Sequence, residues 1–240
     1  MNSKDRCYNY RKRILKISQE MKALHIAPAF SCLEITDAIY NDLMRPHDTF
    51  IMSKGHGWMA QRVILEERKI LRKNEALKHH PDYGIPGIAC TTGSLGHGLG
   101  MAVGMAWADR YLKNYRNIFV VCGDGEMAEG SIWEAMKVAA DEDLKLTVFV
   151  DNNDYGGLEK LNNLRLIDKA NAFGWAAREI DGHNFDEIIL YGLGQNAPLL
   201  IVAHTVKGKG VPYMENVPIW HYRSPNKEEY QLALDTLYKP

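Results

Sequence analysis

Two short apolar runs, separated by an amphipathic stretch, place the strongest limit on how this chain can fold. The runs are Ile118–Cys122 and Leu146–Val150, and each has the length of a buried strand. Between them, apolar residues from Ile132 to Ala140 recur at helical spacing. Two apolar strands joined by a helix form the repeating unit of a parallel sheet that is covered on both faces.

The rest of the chain extends this pattern. Further strands are predicted at 175–180 and 199–203, and helices at 14–24, 33–43, 59–71, 99–108, 168–173, 185–193 and 227–237, with Ser31 as the N-cap of the second helix. A long loop at 79–98 has the length that functional loops often have. We therefore expect an α/β fold with a mostly parallel sheet and helices on both faces, in a single domain that spans residues 1–240.

Composition argues against several classes of protein. A length of 240 residues suits one α/β domain, and 29 Lys and Arg against 30 Asp and Glu argue against a nucleic-acid-binding surface. No apolar run reaches the ~18–20 residues of a membrane span, so no membrane association is expected. The polar start of the chain does not resemble a signal peptide. The four cysteines form no Cys-x-x-Cys pair, so we expect a reducing, cytoplasmic setting.

Polar residues follow both apolar runs. Gly123–Gly130 follows the first predicted strand, and Asp151–Gly157 follows the second. Ligands of parallel α/β sheets bind beyond the carboxyl ends of the strands, and Mg²⁺ prefers oxygen ligands. Asp124 and Asn153, with a nearby backbone carbonyl, could bind such an ion, and an anion could bind at the helix start near Ser131. Taken singly, both segments could equally be ordinary turns.

The two segments together match a known pattern. Gly123-Asp124-Gly125, followed after residues 126–151 by Asn152-Asn153, is similar to the cofactor motif of thiamine-diphosphate enzymes. In that superfamily a divalent metal ion anchors the diphosphate of the cofactor. The resemblance implies that Asp124, Asn153 and the backbone oxygen of Tyr155 bind Mg²⁺, or Ca²⁺ or Mn²⁺ in its place.

Further motifs resemble the transketolase family. They occur in family order and are Ser53-Lys-Gly-His56-Gly, His80-Pro-Asp, Thr91-Thr-Gly-Ser-Leu-Gly96 and Trp220-His221. Similarity to the short form of that enzyme, which is split into two polypeptides, comes from Asp181-Gly-His183, Lys207-Gly-Lys-Gly-Val and the segment from Asn226. The resemblance covers about residues 10–237 and implies the N-terminal, diphosphate-binding subunit.

The resemblance also implies a role for each matched residue. Cofactor contacts are expected from His56, Gly93, Ser94, Leu95, Gly123, Asp124, Gly125, Asn153 and His221. His25 and His80 are expected to face the sugar and assist proton transfer, and Glu129 to lie at a contact between subunits. A neutral imidazole can accept and return a proton near pH 7, so the histidine roles are chemically consistent.

Three positions depart from the family pattern near the expected substrate entrance. Ile26–Ala29 follows His25 where the family has paired glycines. His97 replaces a glutamine, and Tyr222 replaces a glycine after the Trp-His pair. Pro28 removes a backbone donor, so the chain beside His25 could follow another path. These departures leave the identity of the acceptor sugar open.

In transketolases the glutamate that activates the cofactor lies in a second domain, which binds the pyrimidine ring. Because the chain ends at Pro240, we expect that domain on a partner subunit, in a heterotetramer. The expected reaction moves a two-carbon ketol unit from a ketose or ketose phosphate to an aldose. Two alternatives remain open, namely another ketol or acyloin transfer on an unusual sugar in a biosynthetic pathway, and a non-catalytic regulatory subunit.

Overall fold

A five-stranded sheet forms the centre of the computed structural model, which describes residues 1–22, 24–73, 75, 78–114, 116–161, 165–193 and 198–238. The strands are β1 (Thr49–Met52), β2 (Ile118–Gly123), β3 (Leu146–Asn152), β4 (Tyr155–Gly156), β5 (Glu159–Lys160), β6 (Ala176–Asp181) and β7 (Leu199–His204). The sheet has the order β1-β2-β3-β7-β6, and every neighbouring pair in it runs parallel. β4 and β5 form a separate antiparallel ribbon.

The α-helices flank the sheet. They are α1 (Ser3–Met21), α2 (Ile26–Ser31), α3 (Leu33–Ala38), α4 (Trp58–Glu67), α5 (His97–Leu112), α6 (Gly130–Asp141), α7 (Leu166–Ala172), α8 (Phe185–Gly192) and α9 (Lys227–Tyr238). A π-helix covers Ile39–Leu43, and 3₁₀ helices cover Gly55–Gly57, Gly125–Ala128 and Pro218–Tyr222. In the part of the chain that the structure describes, none of these helices is long and apolar enough to cross a membrane.

Alternating strand residues contact two apolar clusters, one on each face of the sheet. Phe119, Val121 and Phe149 belong to a cluster with residues of α1, α2, α3, α4, α8 and α9. Val120 and Val148 belong to the other cluster, with residues of α5, α6 and α7. Because successive side chains of a strand point to opposite faces, both faces are covered. The expected α/β fold, with a mostly parallel sheet and helices on both faces, is confirmed.

The first third of the chain differs from its predicted elements. Thr49–Met52 forms the strand β1, which was not predicted and which pairs with β2. A helix begins earlier than expected, at Ile26, and Pro28 lies in its first turn, where a backbone N–H is not needed. The prediction of Ser31 as an N-cap is therefore wrong, because its hydroxyl donates instead to Asp151 at 2.7 Å.

Candidate active site

A cavity of about 430 Å³ lies where β2 and β3 end. The strand register pairs Gly123 with Asp151, so the polar segments that follow the two strands begin side by side. Most of the predicted site residues line this cavity, namely His25, His56, His80, Gly93, Leu95, Gly123, Asp124, Gly125, Asn153, Tyr155 and His221. The structure therefore brings together motifs that are far apart in the sequence.

Backbone hydrogen bonds join Asp124 to the segment after β3. The Asp124 carboxylate accepts from the backbone N–H groups of Asn153 at 2.9 Å and Tyr155 at 3.2 Å. The N–H of Gly125 donates to the same carboxylate at 2.7 Å. Burial, and then the nearby charge of Asp151, raises the pKa of Asp124 to about 6. A cation beside Asp124 would favour its ionised form.

The side-chain amide of Asn153 has a partner for its nitrogen but not for its oxygen. Nδ2 donates to Ser31 Oγ at 3.1 Å and lies 3.4 Å from Asp151 Oδ2. Nothing in the described part of the chain donates a hydrogen bond to the buried Oδ1. A buried oxygen without a donor is costly, and an amide oxygen beside a carboxylate is a suitable ligand for Mg²⁺. These oxygens therefore fit a divalent cation.

The third predicted metal ligand is the backbone oxygen of Tyr155, which begins β4. It accepts from the N–H of Gly157 at 3.0 Å and retains a second lone pair. Among the residues that the structure describes, no three His, Cys, Asp or Glu side chains converge on a metal position. A metal ion here would therefore need amide and backbone oxygens in addition to Asp124.

Two buried lysines bring positive charge to the cavity, although a role was predicted for neither. Lys54 forms an ion pair with Asp151 and donates to the Pro28 carbonyl at 3.2 Å. Burial opposes its charge, but the ion pair keeps the pKa of Lys54 above its ordinary value. Lys207 donates to the Gly157 carbonyl at 2.6 Å, and burial lowers its pKa to about 8. The sequence could have indicated a role for both lysines, because Lys54 lies in the Ser-Lys-Gly-His motif and Lys207 in the Lys-Gly-Lys-Gly motif.

The predicted histidines form one cluster around His25. Its ring centroid lies 5.8 Å from that of His56, 5.7 Å from that of His80 and 5.1 Å from that of His221. His25 Nδ1 is 2.9 Å from the His221 carbonyl oxygen. Because a carbonyl can only accept, Nδ1 carries the hydrogen, and Nε2 of His25 is left as an acceptor.

Burial keeps these imidazoles neutral. It lowers the pKa of His25 to about 4 and that of His221 to about 3. It also lowers the pKa of His56 and of His80. The positive charge of Lys207 acts in the same direction on His221. Neutral rings can accept protons and hydrogen bonds near pH 7, as the predicted roles require.

Glu126 connects three segments of the cavity wall, although no role was predicted for it. Its carboxylate accepts from Ser53 Oγ at 2.6 Å, from the Gly96 N–H at 2.8 Å and from the Gly123 N–H at 3.2 Å. Ser53 follows β1, Gly96 precedes α5 and Gly123 is the last residue of β2. Nothing in the local sequence distinguishes Glu126 from an exposed residue of the same loop.

Two predicted site residues do not line the cavity. Ser94 is exposed, although its neighbours Gly93 and Leu95 do line it. Glu129 is exposed at the residue before α6 and lies outside the cavity wall. The expected roles of Ser94 and Glu129 stay predictions.

Two of the departures from the family pattern, Pro28 in the cavity wall and Tyr222, lie near the histidine cluster. The Tyr222 ring centroid is 4.5 Å from that of His25 and 5.8 Å from that of His79. The side chain is 49% exposed and is not part of the cavity wall, but its ring packs against His25, which lines the cavity. His97 is exposed at the first position of α5, where it does not line the cavity.

The fold places this chain among α/β proteins whose ligands bind beyond the carboxyl ends of their strands. Residues 18–233 match the family described as "Transketolase, thiamine diphosphate binding domain". The chain belongs to this transketolase family. The family, the enzyme class of transketolase-type transferases, and thiamine diphosphate as the cofactor are confirmed as the motifs predicted.

Relatives of two lengths match the chain. One subunit of the apulose-4-phosphate transketolase from Phocaeicola vulgatus is 36% identical, over 93% of this chain and 89% of the relative. The 6-deoxy-6-sulfo-D-fructose transketolase subunit SqwG of a Clostridium species is 34% identical, over 95% of this chain and 94% of the relative. Human transketolase is 33% identical over 89% of this chain, which spans 38% of the human enzyme.

Solved transketolases share the fold. The Campylobacter jejuni enzyme superposes with a TM-score of 0.87 at 22% identity, over 99% of this chain and 43% of that one. The Leishmania mexicana enzyme gives a TM-score of 0.87 at 23% identity, over 99% of this chain and 41% of that one. The chain therefore spans about two fifths of the length of these solved enzymes.

Proposed function

We propose that this chain is the diphosphate-binding subunit of a two-chain transketolase and acts with a C-terminal, pyrimidine-binding subunit in a heterotetramer. Two relatives that are themselves named as transketolase subunits are matched over 89% and 87% of their length, but human transketolase over only 38%. The observation that carries the proposal is the cavity after β2 and β3, which joins Asp124, Asn153 and four neutral histidines.

Mg²⁺ is the proposed metal, with Ca²⁺ or Mn²⁺ as substitutes. Its protein ligands would be the Asp124 carboxylate, Asn153 Oδ1 and the Tyr155 carbonyl. The unpartnered Asn153 oxygen and the raised pKa of Asp124 support this set, because a cation would satisfy the first and neutralise the second. Mg²⁺ commonly completes its coordination with phosphate oxygens, so the same ion would anchor the diphosphate.

Thiamine diphosphate, once bound, supplies the electron sink that ketol transfer needs. The chain's own residues bind its anionic end. His56, His221 and the Lys207 ammonium would contact the diphosphate, since all three line the cavity. Small residues let the backbone approach closely, as shown by Gly125, where an added Cβ would lie 3.1 Å from the Cα of Gly156.

The loop of Gly93, Ser94 and Leu95 would contact the cofactor through its backbone, as would Gly123. Gly93 has a φ of +142°, and a Cβ there would lie 3.1 Å from the His80 ring. The loop backbone and the histidine are therefore packed together without space for a side chain. This close approach supports one continuous surface, on which the loop would contact the cofactor and His80 would contact the sugar.

His25 and His80 are proposed to move protons of the sugar hydroxyls. Nε2 of His25 is available as an acceptor because Nδ1 is committed to the His221 carbonyl. A ring with a pKa of about 4 is neutral at pH 7 and can accept a hydroxyl proton and return it. Glu129 is proposed to act at the contact with another subunit, which agrees with its exposure.

The proposed substrates are a ketose or ketose phosphate as donor and an aldose as acceptor. The matched subunits are named for apulose-4-phosphate and for 6-deoxy-6-sulfo-D-fructose. Tyr222 beside His25 favours the alternative of an unusual sugar in a biosynthetic pathway, because its ring packs against a histidine that is proposed to face the sugar.

Reconstitution with a pyrimidine-binding subunit tests the proposal. We expect ketol transfer from the mixture with Mg²⁺ and thiamine diphosphate, and no turnover and only weak cofactor binding by either chain alone. Robust transketolase activity of this purified chain, free of a partner, would contradict the two-chain arrangement. A panel of paired ketose donors and aldose acceptors, with and without phosphate, identifies the sugars.

Asp124→Ala separates a catalytic from a regulatory subunit. We expect the variant to abolish the cofactor-dependent activity of the reconstituted complex, because it removes the carboxylate ligand of the proposed metal. Asp141→Ala is the matched control, since Asp141 is exposed at the end of α6. An unchanged rate in Asp124→Ala would support the non-catalytic, regulatory alternative.

We also propose that residues 1–240 form a single domain that works in the cytoplasm. Both apolar clusters contain residues of the same sheet, which supports one domain. All four cysteines lie in the described part of the chain, where they are buried and form no disulfide. Unpaired cysteines suit a reducing compartment.

A further inference from the structure

The loop that carries Lys207 is attached to the rest of the protein on both sides of that lysine. We call residues 205–210 the lysine loop. Before Lys207, the N–H of Val206 donates to His183 Nε2 at 2.8 Å. After it, the N–H of Gly208 donates to the Ala27 carbonyl at 3.1 Å. Lys207 itself is only 2% exposed, so its position depends on how the loop is held.

His183 belongs to the Asp181-Gly-His183 motif, which has no assigned role in the proposed reaction. Because the Val206 N–H is a donor, Nε2 of His183 accepts, and the ring hydrogen therefore lies on Nδ1. Nδ1 is 3.1 Å from Glu34 Oε2 and so donates to it. The ring thus bridges a carboxylate of α3 and the backbone next to Lys207.

Glu34 is itself fixed by Arg11. The Arg11 guanidinium lies 2.7 Å from the Glu34 carboxylate and donates to the Phe30 carbonyl at 3.2 Å and the Lys209 carbonyl at 2.8 Å. Burial would raise the pKa of Glu34, but Arg11 and His183 lower it to about 2, so the carboxylate stays ionised. Arg11, Glu34 and His183 therefore form a continuous polar network that ends at the lysine loop.

We propose that His183 is a positioning residue, which holds the lysine loop so that the Lys207 ammonium faces the diphosphate subsite. The inference rests on the proposed function, because it needs an anion in the cavity. Among the described residues, Lys207 has one hydrogen-bond acceptor, the Gly157 carbonyl at 2.6 Å, and a shift of the loop would move its ammonium away from the cavity. His183 acts on this geometry from outside the cavity, since it does not line it.

Two substitutions of His183 separate its two hydrogen bonds. His183→Asn keeps an amide donor near the place of Nδ1, within reach of Glu34, but is too short to accept from Val206. His183→Gln is one carbon longer and can accept from Val206 through its amide oxygen. His47→Asn is the control, because His47 is exposed and adjoins β1 at the opposite end of the sheet.

Calorimetry on the full chain with Mg²⁺ and pyrophosphate, and on its reconstituted complex with thiamine diphosphate, measures the effect. We expect about tenfold weaker binding of both ligands in His183→Asn, as for the loss of one buried hydrogen bond. His183→Gln should bind within about threefold of the unchanged protein, and His47→Asn should bind like it. Melting temperatures without ligand show whether each variant is folded.

A double-mutant cycle with Lys207→Met tests whether His183 acts through Lys207. In the Lys207→Met background, His183→Asn should weaken pyrophosphate binding by less than about twofold, because the ammonium to be positioned is gone. If His183→Asn proves unstable, Glu34→Asp shortens the contact to His183 while keeping a charge beside Arg11, and the same weakening is expected.

Three results would overturn the inference. Unchanged pyrophosphate binding in His183→Asn would contradict the positioning role. So would an equal loss of pyrophosphate affinity on His183→Asn with Lys207 present and with Lys207→Met, because a purely structural role predicts independent effects. Failure of the unchanged reconstituted complex to bind thiamine diphosphate would instead overturn the proposed function, and the inference with it. The behaviour of the unchanged complex therefore distinguishes the two failures.

Discussion

At the scale of single residues, His25 has one ring nitrogen held by the protein and one left for a substrate. Nδ1 donates to the His221 carbonyl, and burial lowers the pKa of the ring to about 4. Activity should therefore fall only as the pH drops through about 4, because protonation of Nε2 removes the acceptor. An unperturbed imidazole would give a fall centred near pH ~6.5. The pH dependence of kcat/KM in the reconstituted complex provides the measurement.

His25→Gln checks the same assignment without a change of pH. The amide cannot take up a proton, so we expect kcat to fall by about 100-fold while thiamine diphosphate binds as before. His204→Gln is the control, since His204 is an exposed histidine at the end of β7. A variant with the original kcat, or an acid limb centred on the ordinary imidazole pKa, would contradict the proton-transfer role.

Tyr222 should influence which sugar is accepted. Its ring packs against His25 and also approaches His79, so Tyr222→Gly removes an aromatic neighbour of the proposed proton-transfer residue. We expect the ratio of kcat/KM between a bulky and a small acceptor to rise by about tenfold, which is typical of a changed pocket contact. Rates with a panel of aldoses measure it. Tyr222→Phe, the control, keeps the ring and should leave this ratio of kcat/KM values unchanged. If Tyr222→Gly also leaves the ratio unchanged, Tyr222 is not a specificity determinant.

At the scale of helices and strands, the sequence predicted elements wherever the apolar pattern had one meaning. β2, α6 and β3 follow directly from two apolar runs and one helical stripe. β1 has only four residues, Thr49–Met52, which is too short to show a period. The helix Ile26–Ser31 was not predicted, and it accommodates Pro28 in its first turn. Short elements are stabilised by tertiary contacts that no local pattern records.

The same limit applies to the residues of the site. Asp124 and Asn153 could be proposed because their segments follow apolar strands, and parallel strands end at the same edge of a sheet. The resemblance to the cofactor motif was needed to prefer a metal site over ordinary turns. The contacts of Lys54 and Glu126 could not be predicted, because their partners are distant in sequence. Lys54 pairs with Asp151, 97 residues away, and Glu126 accepts from Ser53, 73 residues away. The Ser-Lys-Gly-His motif marked the position of Lys54, but only the folded chain shows what Lys54 and Glu126 contact.

Glu126 should stabilise the connection between the segments that follow β1, precede α5 and end β2. Its carboxylate accepts from one hydroxyl and two backbone N–H groups. In Glu126→Gln an NH₂ group would face one of these donors, so we expect a loss of about 1–3 kcal/mol in the free energy of unfolding. Urea denaturation measures this loss. Glu134→Gln, at an exposed position of α6, should lose less than about 0.5 kcal/mol, and equal stability of the two variants would refute the role.

At the scale of the whole molecule, a buried polar network joins helices to the loops that follow the sheet. Arg11 of α1 pairs with Glu34 of α3, and His183 follows β6 and contacts both Glu34 and the backbone of Val206. Apolar packing covers the two faces of the sheet, but this network lies at the carboxyl ends of the strands. The stability of the fold should therefore respond to the ionisation of Glu34.

The pH dependence of unfolding tests that link. The pKa of Glu34 is lowered from 4.5 to about 2 in the folded chain, so its contribution is fully present above pH 4.5 and is lost as the pH falls towards 2. At neutral pH, Glu34→Gln leaves Arg11 buried without a charged partner and should lower the free energy of unfolding by about 3 kcal/mol. The difference from the unchanged protein should shrink as the pH falls through that window, because protonation makes Glu34 resemble the amide. Urea titrations at several pH values provide the measurement, and Glu228→Gln, at an exposed position, is the control. If the difference in the free energy of unfolding between Glu34→Gln and the unchanged protein stays constant down to the lowest pH, Glu34 does not stabilise the fold as a carboxylate.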